Sequence, residues 1–176
     1  MLRIVALVLL FSLSCVPVSL ASGVETAGDI AAVATFIAAG GITISRDDKE
    51  GIAQFLKSNV LNGSVTLGLK YSINERRPDG SDNQSFPSAH TSITFTSAEY
   101  LRKRYGWEYG LPAYALASFV AWSRVDADKH YTKDVLAGAA IGIASSYIFT
   151  TPNHRYNFNV EVDPGYYGAR LAMRFD

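Results

Sequence analysis

Three short polar islands interrupt an otherwise apolar sequence, and their side chains are of the kinds that handle phosphate. The stretch KYSINERRP carries Lys70, Arg76, Arg77 and Pro78; FPSAH carries Pro87, Ser88, Ala89 and His90; SRVDADKHYTKD carries Ser123, Arg124, His130 and Asp134. Arg and Lys supply charge-assisted donors suited to a phosphate or similar oxyanion. His130 and Asp134 are four residues apart and so share one face of a helical turn. A carboxylate there can accept a hydrogen bond from one ring nitrogen, which sets the tautomer and leaves the other nitrogen to attack. Ser88 stands where a helix would start, and there its hydroxyl and the N–H groups of Ala89 and His90 form a ready anion site. His90, within that first turn, can give a proton to a leaving oxygen. Lys70 and Arg77 are seven residues apart, two helical turns, with Pro78 behind them to stop the helix.

Each island also has a plainer reading when taken alone. His130 and Asp134 can be a surface pair, Ser88 a simple helix cap, and Lys70 with Arg77 a basic helix end that suits the helix dipole. Arg76 reads as a solvated neighbour. Asp126, Asp128 and His130 could chelate a metal, but Lys129 among them would repel a cation, so no metal site is expected. Phe86, Trp122 and Tyr131 flank the islands and suit either helix packing or a place for acyl chains.

The elements that must position these residues are mostly helical. Helices are expected over residues 27–39, 49–60, 64–74, 88–105, 109–125 and 131–149, with a polar turn at Asp79–Gln84. Three apolar runs, Ile30–Ile44, Leu111–Trp122 and Val135–Phe149, hold at most fifteen residues each. That is short of the roughly 20 needed to span a bilayer, so they are expected as core helices, with a membrane-embedded reading left open because neighbouring polar turns could lengthen them. In the tail, Tyr156, Phe158, Val160 and Val162 alternate with polar residues, then Asp163-Pro164-Gly165 makes a turn and the alternation resumes: a β-hairpin pattern. The expected fold is therefore mainly α, a bundle of about six helices with a short C-terminal β-hairpin.

The 176-residue length fits one domain, and 48% hydrophobic against 18% charged residues makes it apolar for a soluble protein. A formal net charge of zero provides no basic field, so nucleic acid is not an expected partner. The first 21 residues have a short positive start at Arg3, an apolar stretch and small residues ending at Ala21, the pattern of a cleaved leader. The domain boundaries are then 1–21 for the signal peptide, 22–152 for the helical domain and 153–176 for the hairpin tail. Cys15 is the single cysteine, so removing the leader leaves no thiol nucleophile and no disulfide. The leader implies an exported, periplasmic protein; contact with a membrane surface and the oligomeric state stay open.

In order and internal spacing, Lys70-x6-Arg77-Pro78, Pro87-Ser88-Ala89-His90 and Ser123-Arg124-x5-His130-x3-Asp134 resemble the three signature motifs of the type-2 phosphatidic acid phosphatase superfamily, which includes lipid phosphate phosphatases, bacterial acid phosphatases and vanadium-dependent haloperoxidases. The resemblance implies a metal-independent phosphatase of phosphomonoesters, lipid-linked ones among them, with no cofactor and a phosphohistidine intermediate. By that resemblance His130 is the nucleophile, Asp134 orients it and His90 serves as acid and then base. Lys70, Arg77, Ser88, Ala89 and Arg124 hold the phosphoryl oxygens, while Ser123 supports the loop. Two departures stand out. Ala89 replaces a usual Gly, which should be tolerated, and the gap between Pro78 and Pro87 is short, which suggests an open site. Two alternatives stay open: a vanadate-dependent haloperoxidase, and a non-catalytic phospholipid-binding envelope protein.

Overall fold

The computed structural model describes residues 23–153, 156–163 and 166–173. The leader expected over residues 1–21 lies outside the described residues, as do Pro164 and Gly165 of the expected turn. Five helices are present among the described residues: α1 (Gly23–Ser45), α2 (Lys49–Ile73), α3 (Ala89–Tyr105), α4 (Trp107–Asp126) and α5 (Thr132–Phe149). C-terminal to them, β1 (Tyr156–Asp163) and β2 (Tyr166–Met173) pair antiparallel, with Tyr156 opposite Met173.

The expected six helices become five because residues 49–60 and 64–74 belong to a single helix. The gap left between them contains Gly63, and a lone glycine costs an exposed helix only about 1 kcal/mol relative to Ala. The packing of α2 against α5, α3 and α1 outweighs that. Asp48 caps α2 by accepting the Gly51 N–H at 2.9 Å, and the helix ends at Asn74, in the left-handed region with φ 49°.

α3 is the central helix and touches the other four. It is not one of the apolar runs. Its buried face is Thr91, Ser92, Thr94, Thr96, Ser97 and Glu99, together with Ala98, Tyr100 and Leu101. The apolar runs do supply core residues, among them Phe36, Ala39, Ala113, Ala117 and Val120, but none of them is the central helix. α1, α4 and α5 surround α3 and turn Ile30, Ile37, Leu111, Leu116, Leu136 and Ile148 outward. An apolar core does form where Phe36, Phe55, Tyr100 and Tyr105 meet at tilted or edge-on angles. Around it the interior is largely hydroxyl and small side chains, each Ser or Thr bonded within its own helix or to a neighbour, as Thr66 is to Ser92 at 3.2 Å. The length estimate is corrected too. α1 runs for 23 residues and is long and apolar enough to cross a bilayer, because the small residues before Ile30 continue the helix.

Small residues let α5 approach α3 very closely. A side chain on Gly138 would meet the Ser88 carbonyl at 2.6 Å, and one on Gly142 would overlap the Ser92 carbonyl and come within 2.9 Å of the Thr96 nitrogen. The obstructing atoms are backbone and cannot swing aside. Gly142→Ala should therefore lower stability by about 1–3 kcal/mol through overpacking. Gly63→Ala, in the same kind of helix but with open space around it, should raise stability by up to about 1 kcal/mol. Thermal midpoints of the two variants against wild type check both signs.

Candidate active site

The helix directions bring every predicted site residue to one end of the bundle. Lys70 is in the last turn of α2 and Arg124 in the last turn of α4, while Ser88 and Asp134 mark the starts of α3 and α5. Two helix N-termini, each carrying partial positive charge, thus open onto the region where the cations collect.

Asp134 is fully buried and joins the second island to the third. Its Oδ2 accepts from the Ser85 hydroxyl at 2.5 Å and from the Tyr131 N–H at 3.0 Å. Its backbone carbonyl accepts the Ser88 N–H at 3.0 Å. The expected hydrogen bond to His130 is not made: Nδ1 of His130 lies 3.6 Å from Oδ2 and has no hydrogen-bond partner, nor has Asp134 Oδ1. Ser88 also differs from expectation. It occupies the N-cap position, but its side chain makes no cap bond; its buried hydroxyl accepts from Thr91 Oγ1 at 3.1 Å. The N–H groups of Ala89 and His90 precede the first bond of the helix, Ser92 N–H to Ser88 carbonyl.

His130 is 3% exposed, and its N–H donates to the Arg124 carbonyl at 3.1 Å. Burial first, and then the positive charges of Arg77, Lys70 and His90, push its imidazole down to about 2, against a smaller opposite pull from the Ser85 carbonyl. The resting ring is neutral, with a lone pair available to attack. Lys70 Nζ donates to the Gln84 carbonyl at 2.5 Å. Arg77 Nε donates to Asp82 Oδ1 at 2.7 Å, and Nη1 reaches the Lys129 carbonyl at 3.5 Å. Arg76 is exposed.

Arg124 is 2% exposed, and all three of its nitrogens are engaged. Nη1 donates to Asp29 Oδ1 at 2.7 Å, Nη2 to the Glu25 carbonyl at 2.6 Å and Nε to Ser123 Oγ at 3.2 Å. Three of its five N–H groups are used, and two remain for a ligand. The same Asp29 oxygen lies 3.2 Å from His90 Nε2. Lys129, in the spacer between Arg124 and His130, pairs with Asp79 at 3.0 Å and Glu25 at 3.5 Å, and Asp79 N–H donates to the Asp128 carbonyl at 3.0 Å. The spacer therefore ties the loop after α2 to the loop before α5. Asp126, Asp128 and His130 do not gather as a metal-binding group; among the described residues no cluster of three or more His, Cys, Asp or Glu side chains does.

Two contributors escaped the sequence reading. Ser85 is one, hidden in a polar loop. Asp29 is the other, and it had a signal: it is the one acid between Thr26 and Ser45, in a helix otherwise apolar or small. A carboxylate in such a helix needs a partner.

The five helices thus place the buried His130 and Asp134 and several cationic side chains at one end of the bundle. Residues 51–157 match the PAP2 superfamily, and the chain belongs to it. It is similar to the lipid A 1-phosphatase of Porphyromonas gingivalis, 38% identical over 52% of this chain and 21% of that protein. It is also similar to the lipid A 4'-phosphatase of Helicobacter pylori, 28% identical over 64% of this chain and 62% of that protein. The chain thus spans about a fifth of the first relative's length and less than two thirds of the second's. Among solved structures, Aquifex aeolicus LpxE shares the fold, with a TM-score of 0.55 at 23% identity over 68% of this chain and 83% of that one.

The His130 environment sets a pH dependence. Its folded value is depressed, so from about pH 6.5 down to about 2 the unfolded chain binds one more proton than the folded one. Stability should fall as pH falls below 6.5, by at most about 1.4 kcal/mol per pH unit from this group. Thermal midpoints from pH 7 to 5 in phosphate-free buffer should drop for wild type and drop less steeply for His130→Gln.

Proposed function

We propose that the chain is a membrane-associated phosphatase that hydrolyses lipid-linked phosphomonoesters through a phosphohistidine. The observation that carries this reading is the neutral, buried His130, flanked by Asp134 and lying in the field of Lys70, Arg77 and His90, at the helix-terminal end of a PAP2 bundle. In the first step a nitrogen of His130 attacks phosphorus as the ester P–O bond breaks, and protonated His90 gives its proton to the leaving alkoxide. In the second step His90, now neutral, takes a proton from water. The water oxygen bonds to phosphorus, the P–N bond breaks and phosphate leaves. His130 becomes cationic in the intermediate, and the 3.6 Å gap to Asp134 can close into a charge-assisted hydrogen bond at that stage. Lys70, Arg77, the two remaining N–H groups of Arg124 and the amides at the start of α3 stabilise charge on the transferring phosphoryl oxygens.

The lipid assignment rests on two supports. Two similar proteins are named as phosphatases of lipid A. The bundle also turns large apolar side chains outward on α1, α4 and α5, while its interior is rich in hydroxyls and small residues packed closely across helices. That distribution suits lipid more than water as the surrounding solvent, because helix contacts in lipid favour small residues. Trp122 and Tyr131, both exposed and adjoining the third island, suit the boundary between acyl chains and headgroups. The expected leader, with export to the periplasm, completes this reading.

Phosphate release from lipid A 1- and 4'-phosphates, phosphatidic acid and a soluble chromogenic ester, measured in EDTA, is the test. Wild type should be active on at least one lipid substrate. His130→Ala should lose at least about a thousandfold in kcat, and His90→Ala about a hundredfold or more. Wild-type rates in His130→Ala would sink the mechanism. The full chain should also stay with membranes through an alkaline carbonate wash and need detergent to leave them; release into the wash overturns the membrane assignment.

A further inference from the structure

A site assembled from cations has a problem that the three islands do not solve. The first step needs His90 protonated, yet Lys70, Arg77 and Arg124 all disfavour a further positive charge. From the geometry we infer that Asp29, on α1 and outside all three islands, is the positioning residue that keeps His90 in its acid form and fixes its ring. This rests on the phosphatase reading and adds to it the group that makes one of its histidines an acid.

Three observations carry the inference. First, a single oxygen, Asp29 Oδ1, lies 2.7 Å from Arg124 Nη1 and 3.2 Å from His90 Nε2. It therefore holds an arginine of the third island and a histidine of the second in one arrangement. Second, α1 is shaped to reach them. Gly28, next to Asp29, packs so tightly on α4 that any side chain there would overlap the Ser123 hydroxyl and the Arg124 guanidinium. Third, α1 touches the same cluster twice more, through the Glu25 carbonyl on Arg124 Nη2 and the Glu25 carboxylate on Lys129.

Several elements contribute the charges around His90. α1 contributes Asp29 and Glu25, α4 contributes Arg124 and the end of α2 contributes Lys70. The loops contribute Arg77, Lys129 and His130, and α5 contributes Asp134. Of the three carboxylates, Glu25 pairs with Lys129, and Asp134 faces His130 and Ser85. Asp29 is the carboxylate in contact with His90. A negative charge at that distance stabilises the imidazolium relative to the neutral ring. Removing it while keeping the shape leaves His90 among cations alone.

The experiment is the pH profile of kcat/KM for phosphate release in wild type, Asp29→Asn and Asp29→Glu, with His130→Ala as the blank. His90 must be protonated for the first step, so its loss of a proton sets the alkaline limb. Asp29→Asn should move that limb to lower pH by about one unit and cut kcat at neutral pH by up to about tenfold, with KM changed less than threefold. Asp29→Glu keeps the charge and should leave the limb in place. An unmoved limb in Asp29→Asn overturns the inference, as does a uniform loss at every pH, which would mark Asp29 as a structural tie alone. Should Asp29→Asn fail to fold, Asp29→Glu decides: a limb displaced by a full unit despite the retained carboxylate overturns it. An inactive wild type, or an active His130→Ala, counts against the phosphatase reading; only the Asp29 variants bear on this one.

Discussion

A carboxylate removed from water must find hydrogen-bond donors, and Asp134 meets that requirement in a way that assembles the site. Its side chain takes the Ser85 hydroxyl from the loop after α2 and the Tyr131 N–H at the start of its own helix, and its carbonyl takes the Ser88 N–H at the start of α3. Two segments distant in sequence, residues 85–88 and 131–134, are thereby held at one point. The acid also lies in the first turn of α5, where the helix dipole favours a negative charge. The cost of that arrangement is borne by His130, which in the resting state lacks the hydrogen bond a nearby carboxylate could give it.

The opposite end of the bundle has its own buried charge. Arg104, near the end of α3, makes two hydrogen bonds to Asp48 at 2.6 and 2.7 Å, and Tyr105 and Asn153 donate to the same carboxylate. This clamp joins the α1–α2 turn, the end of α3 and the segment after α5. Between the two polar ends the helices are joined by aromatic packing and by close backbone contact at glycine. The bundle is thus pinned at both ends, and the end that carries two helix N-termini and the basic residues is the one fitted to bind an anion.

The chemistry was more legible in the sequence than the packing. Lys70, Arg77, His90, Arg124, His130 and Asp134 could be singled out because their types and spacing are unusual between apolar runs, and the structure gathers them at one end. The ends of α3, α4 and α5 lie within two residues of those expected, whereas α1 extends past the expected 27–39 at both ends and the two segments 49–60 and 64–74 are one helix. The core was legible only in part, for a definite reason. Hydrophobic runs were expected to point inward, as in water, whereas here the Ser- and Thr-rich α3 is central and much of the apolar surface faces out. Composition cannot say which solvent surrounds a helix, and both the outward apolar faces and the polar interior follow from that.

The sequence by itself determined the order and spacing of the Lys, Arg, His and Asp side chains in the three motifs, because short-range spacing on a helix fixes relative position within a turn or two. It could not determine which helix would lie against which, so it could not reveal that Asp29, some sixty residues from His90, shares one oxygen between that ring and Arg124. Nor could it reveal that Asp134 would bind Ser85 in preference to His130. Those outcomes depend on long-range contact, where the burial of a charge selects among partners that only the folded chain brings within reach.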